Sequence, residues 1–123
     1  MILQTIQLAR SRGHFDVLDI TVKNQHEIGK VFAPTWDMVL DHKNYKKPEY
    51  GDVEYSNDYH RLMLWSWARE NEYWMWLLGQ QRVVLACMCK PHHFCHRQLL
   101  SKYLIKAANF LGHPPIDYRG EIT

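Results

Sequence analysis

Arg82-Val83-Val84-Leu85-Ala86-Cys87-Met88-Cys89-Lys90-Pro91, followed after His92-His93 by Phe94-Cys95-His96-Arg97-Gln98-Leu99-Leu100, is the stretch on which the fold turns. Two valines and Leu85 favour a buried strand, and Pro91 forbids its continuation. Beyond the break, Leu99, Leu100, Tyr103, Leu104, Ala107, Ala108 and Leu111 recur at helical spacing. The stretch therefore reads as strand, tight loop, helix. Such a turn gathers unpaired backbone N–H groups, the positive end of a helix dipole and the Arg97 side chain, so it is expected to bind an anion.

Upstream, Ile2 to Leu8 reads as a short strand, and Arg10-Ser11-Arg12-Gly13 as the loop that follows it. Phe15 to Val22 is the next expected strand, with Asp19 and Thr21 presented together at its carboxyl end. The plain alternative is that this pair only satisfies neighbouring loop amides. Thr35 is a candidate N-cap for a short helix whose buried stripe would be Trp36, Val39 and Leu40. From Asp41 to Tyr55 runs a long connection holding Lys43, Lys46, Lys47, Tyr45 and Tyr50, read either as a solvated loop or as a cover over an anionic ligand. Ser56 or Asn57 then caps one helix, carrying Tyr59, Leu62, Met63, Ser66 and Tyr73 on a stripe, that continues through Trp74-Met75-Trp76-Leu77-Leu78 to Gly79. Clustered tryptophans at this spacing are expected in the core, with base stacking on Trp65, Trp67 or Trp76 as the functional alternative. After Gly112-His113-Pro114-Pro115, Ile116-Asp117-Tyr118 is expected to add an edge strand.

Helical segments between separated strands predict a single small α/β domain over residues 1–123, with a three- to five-stranded parallel or mixed sheet flanked by helices on both faces. The Arg82–Met88 strand should lie inside that sheet. Ligands gather outside the carboxyl ends of such strands, so Asp19 and Thr21 are expected to share a rim with Cys87, Cys89 and Arg97.

Val83 to Cys89 with Phe94-Cys95-His96-Arg97-Gln98-Leu99-Leu100 resembles the signature of the bacterial and phage family called domain of unknown function 488, in which a Cys-His-Arg tripeptide opens a helix after an apolar strand. Small relatives often carry a Cys-x-Cys at the strand end, matched here by Cys87 and Cys89. Asp19-Ile20-Thr21, Phe32-Ala33-Pro34, Tyr55 and Tyr59 look like weaker landmarks of the same family. The resemblance implies the α/β fold and a site at the tripeptide; the family's biochemistry is largely unassigned.

Three chemistries compete for the turn. In the first, Arg97 offers a planar fork to phosphate oxygens, with Thr21, Cys89, Lys90, Ser11 and Tyr59 as further ligand-binding residues. The second makes Cys95 a nucleophile, activated by the helix N-terminus, His96 and Arg97, with His96 or His93 as acid or base and Asp19 as partner. A phosphatase loop is disfavoured, because its Cys-x5-Arg spacing is missing. Zinc held by Cys87, Cys89, Cys95 and a histidine is the third. It lacks the paired Cys-x2-Cys knuckle, and the expectation is no metal and no cofactor. Beside all three stands a bland reading in which Cys87 and Cys95 merely pack in the core and His96 bonds a helix end.

The 123 residues carry 15 Lys and Arg against 13 Asp and Glu, a net charge of +2 that permits an anionic partner but does not suit a broad nucleic-acid face. Three cysteines within nine positions do not look like a disulfide framework. Cys87 and Cys89, two apart on a strand, sit too far apart for a relaxed bridge, so reduced thiols are expected. The opening residues lack a signal-peptide pattern and no apolar run approaches a membrane span, which predicts a soluble cytoplasmic protein. The functional expectation is binding of a phosphate-bearing ligand, a nucleotide or nucleic-acid backbone, with hydrolysis or nicking left open. The alternative from another class is a phage or bacterial interaction protein that engages a host protein through its aromatic surface.

Overall fold

A computed structural model describes residues 1–44, 50–91 and 94–123. Four strands, β1 (Ile2–Gln7), β2 (Val17–Asp19), β3 (Arg82–Cys87) and β4 (Asp117–Ile122), form one sheet of order β2-β3-β1-β4 in which every pairing is parallel. β3 lies inside the sheet, and its residues Val83 to Cys87 are all buried, as the apolar run requires. The described helices are α1 (Trp36–Asn44), α2 (Asp52–Arg69), α3 (Asn71–Leu78) and α4 (His96–Phe110).

The four helices pack on one face, a departure from the expected arrangement. The steps β2 to β3 and β3 to β4 advance in the same direction across the sheet, so right-handed crossovers deliver their helices to the same side. There Met38, Tyr59, Met63, Trp74, Leu77, Leu100 and Leu104 meet Leu3, Val83 and Leu85 in the main core. The step β1 to β2 runs the other way, and its turn lays Leu8 on the far face over Ile6, Val84 and Ala86.

Local chemistry explains where the elements end. Thr35 Oγ1 accepts the Met38 N–H at 3.2 Å and opens α1, but the residue turned into the core is Met38, while Trp36 and Leu40 of the expected stripe are about half exposed, at 48% and 46%. α2 begins four residues ahead of Ser56, at Asp52: the Glu54 carboxylate accepts the Gly51 N–H at 2.9 Å, and two acidic residues face the helix dipole. Ser56 donates instead to the Asp52 carbonyl. The expected single long helix breaks at Glu70, whose φ and ψ of −128° and 36° leave the helical region. α3 then folds back on α2 through a 2.8 Å hydrogen bond from Trp74 Nε1 to Ser66 Oγ. Trp74 is core as expected, whereas Trp65 and Trp76 are half exposed.

β2 is shorter than the predicted Phe15 to Val22. The Asp19 carboxylate accepts the Thr21 N–H at 2.9 Å, and this turn bends the chain out of the strand direction. Gly29 packs against the same corner: a methyl there would overlap the Asp19 carbonyl oxygen, a backbone atom that can give way only if the chain shifts. Gly29→Ala should therefore destabilise the protein by about 1–3 kcal/mol. Denaturant unfolding checks this, and unchanged stability would show that the corner yields freely.

Candidate functional site

A cavity of about 260 Å³ opens at the carboxyl ends of β2 and β3. Its floor is Cys87, Cys89, Cys95 and His96, delivered by the strand end and the first turn of α4. Its walls are Thr21, Trp36, Val39, Leu40, His42, Tyr55 and Phe94, with Lys23 on the lining too. The aromatic side chains pack on one another: Tyr55 lies 5.1 Å from His42 and 5.6 Å from Phe94 between ring centroids. His42 is held from outside by Asp52, 2.8 Å from its Nε2.

His96 is buried, and its ring orientation is fixed by chemistry. Nε2 lies 2.6 Å from the Ile20 carbonyl, which can only accept, so Nε2 carries the proton. In the neutral imidazole Nδ1 then carries the lone pair, and it stands 3.4 Å from both the Tyr55 hydroxyl and Cys95 Sγ. Burial, with the Cys89 thiol nearby, pushes the Tyr55 hydroxyl well above its ordinary value and keeps it a neutral donor. Cys95 is the N-cap of α4 yet makes no side-chain capping bond, and the first turn holds no acidic residue. The positive end of α4 is therefore uncompensated within its own helix.

Arg97 is where sequence and structure part. It is fully buried and turned away from the cavity, its Nε and Nη2 bonded to the two carboxylate oxygens of Glu121 at 3.0 and 2.8 Å. Nη1 donates to Cys87 Sγ at 2.8 Å and Nη2 also to the Lys90 carbonyl at 3.1 Å, while Thr5 Oγ1 donates to Glu121. The carboxylate that offsets an arginine in the first turn is thus Glu121 of β4 at one edge of the sheet. Asp19 belongs to β2 at the other edge, and its register partner Ala86 belongs to the far-face cluster, so Asp19 and Arg97 do not share a site.

The other expected residues divide in the same way. Thr21, Cys89, Cys95 and His96 converge on the cavity. Tyr59 is buried with its hydroxyl donated to the Phe32 carbonyl at 2.8 Å, and Ser11 donates to the Leu8 carbonyl at 2.7 Å; neither lines the cavity. Lys90 contributes its backbone oxygen to Arg97 while its side chain is exposed. His93 and the Tyr45 to Glu49 part of the lysine-rich connection lie outside the described residues. Tyr55, Trp36, His42 and Phe94 are the residues that sequence reasoning did not place here; the capped helix after Thr35 is the one local signal that aims Trp36 toward the strand ends.

The thiols also differ from expectation. Cys87 and Cys95 are joined as a disulfide and Cys89 is free. Judging Cys87 only against its strand neighbour Cys89 overlooks the return of the chain after Pro91, which brings Cys95 back to the strand end. All three Sγ atoms lie within 4.8 Å of one another.

The Cys-His-Arg tripeptide thus opens α4 at the strand ends of a parallel α/β sheet, with Cys95 and His96 on the cavity and Arg97 turned behind it. The family model described as the active DUF488-N3 subclade, DUF488-N3a, matches residues 9–108. The chain belongs to the domain of unknown function 488 family. No curated protein and no solved structure matches it. The matched span stops before β4, so the Glu121 partner of Arg97 lies beyond it. No described helix is long and apolar enough to cross a membrane.

Proposed function

We propose that the cavity binds a phosphate-bearing nucleotide, free or at the end of a nucleic-acid strand, in a cytoplasmic setting. The ring lies against the wall formed by Trp36, His42, Tyr55 and Phe94, and the phosphate rests at the first turn of α4 beside Lys23. The aromatic-walled cavity ending on an uncapped helix N-terminus carries this reading, since an apolar aromatic wall beside uncompensated N–H groups suits both halves of a nucleotide. Arg97 supports the turn from beneath and does not touch the ligand. His96 is placed as the proton acceptor for hydrolysis of a phosphodiester or glycosidic bond, with the Ile20 carbonyl, in place of Asp19, holding its tautomer, and the Tyr55 hydroxyl as donor. The description of the matching subclade as active supports an enzymatic reading.

Titration of a panel of nucleotides and of single- and double-stranded oligonucleotides tests it. Trp36→Ala, at a half-exposed position, should weaken binding by roughly five- to a hundredfold, the stacking of one base being worth about 1–3 kcal/mol. His96→Gln should retain binding and lose turnover, followed by chromatography of products. No binding to any member of the panel would end this reading. It would favour the second one, a non-enzymatic protein that engages a host protein, for which the half-exposed Trp65 and Trp76 speak.

A further inference from the structure

We infer that the reduced form of this protein holds one Zn²⁺ ion on the floor of the cavity, bound by Sγ of Cys87, Cys89 and Cys95 and by Nδ1 of His96. The inference stands on the donor set and does not depend on nucleotide binding; with the ion bound, Nδ1 of His96 is a ligand, so the proton-acceptor role given to it above belongs to the metal-free form.

Zinc takes four tetrahedral ligands with Zn–S near 2.3 Å, which sets neighbouring sulfurs about 3.8 Å apart. Three sulfurs already within 4.8 Å of one another need only side-chain adjustment to reach that figure. His96 supplies what a metal-binding imidazole ordinarily has, a second nitrogen that donates its proton to a backbone carbonyl and so fixes the other as a lone pair. That lone pair sits 3.4 Å from Cys95 Sγ, on the side of the thiols. Arg97 donates to Cys87 Sγ at 2.8 Å, a charged donor that favours the thiolate a metal requires.

Two further features agree. The Cα atoms of Cys87 and Cys95 are 7.6 Å apart, wider than the 4.4–6.8 Å that most disulfides span, and the longer sulfur separation around an ion suits that distance. Cys87, Cys95 and His96 are buried while Cys89 is half-buried on the cavity lining, which gives the ion a dry seat with a path in. Thiolate and imidazole donors select zinc over magnesium or calcium. The missing Cys-x2-Cys knuckle is no obstacle, because the loop after Pro91 returns Cys95 to the strand end in three dimensions.

The Cys87–Cys95 disulfide is the metal-free state. A dithiol reductant opens it: the reductant's two sulfurs close into their own disulfide, and its two hydrogens pass to the two cysteines. Those thiol protons, and that of Cys89, leave when the ion binds.

The test uses the full chain reduced with a dithiol, freed of it under anaerobic conditions, and titrated with Zn²⁺ against a chromophoric chelator. Co²⁺ serves as a second probe whose sulfur-to-metal charge-transfer absorption reports thiolate ligands. Wild type should bind one ion per chain, with three thiols protected from a thiol reagent and a thiolate cobalt spectrum. Cys89→Ser changes a half-buried residue outside the disulfide. It should keep the far-ultraviolet circular dichroism of wild type and lose more than the roughly ten- to a hundredfold that removal of an outer-shell partner costs. His96→Gln should lose affinity while keeping the charge-transfer bands. Reduced wild type that takes up no ion, a cobalt spectrum without thiolate bands, or equal affinity in wild type and Cys89→Ser would each overturn the assignment.

Discussion

Arg97→Ala should cost about 3–5 kcal/mol of stability, because it removes the cation from a buried, two-pronged ion pair with the Glu121 carboxylate. The side chains of the pair are 0% and 8% exposed, and their two parallel hydrogen bonds are joined by those to Cys87, Lys90 and Thr5, so the loss reaches three strands and a loop at once. A small domain has about 5–15 kcal/mol in all, which puts this variant near the edge of folding. Arg97→Lys keeps the charge, but a single ammonium cannot serve a carboxylate, a sulfur and a carbonyl together. It should lose about 1.5–3 kcal/mol, the worth of one charge-assisted hydrogen bond. As a fork held out to phosphate oxygens, which is how the sequence reads it, Arg97 would accept this swap without loss of the fold and with loss of ligand binding; burial of the guanidinium reverses the first of these. Denaturant titrations of Arg97→Ala, Glu121→Gln and the double variant give the coupling directly. Additive losses, or less than about 1 kcal/mol for Arg97→Ala, would mean that the pair is solvated.

Stability should fall steeply above pH 10. Tyr55 and Tyr59 are buried, and burial raises both hydroxyls well above the ordinary value of 10.0. Below that pH both the folded and unfolded chains keep these protons and the full stability is present. Above it the unfolded chain releases protons that the folded one retains, so each tyrosine removes about 1.4 kcal/mol per pH unit until the folded value is reached. The pair therefore gives roughly 2.7 kcal/mol per unit, and Tyr50, Tyr73 and Tyr103 are shifted in the same direction at more open positions. Unfolding free energies measured at pH 9, 10 and 11 read the slope. Tyr59→Phe should flatten it by about 1.4 kcal/mol per unit while costing about 1 kcal/mol at neutral pH for the lost bond to the Phe32 carbonyl. A stability curve level through pH 11 would place both hydroxyls in water.

The sequence by itself determined the elements whose cause is local. Five consecutive apolar residues from Val83 to Cys87, rich in valine and cut off by Pro91, favour an interior strand followed by a turn, and β3 is that strand. The periodic Leu100, Leu104 and Ala108 commit the next segment to a helix, Thr35 announces α1 by its own cap, and Gly79 stops α3. The same reading put the site at the strand end and named Thr21, Cys89, Cys95 and His96, which the cavity brings together. Only the tertiary structure decided what each polar group there does, because partner choice depends on residues distant in sequence. Arg97 meets Glu121 across 24 positions, His96 meets the Ile20 carbonyl across 76, and the loop after Pro91 folds Cys95 back over eight to reach Cys87. Which face receives the helices was likewise hidden, since it follows from the order in which parallel strands are added and from the fixed hand of their crossovers. Periodicity reports which side of an element is buried; it carries no information about which distant group completes a charge.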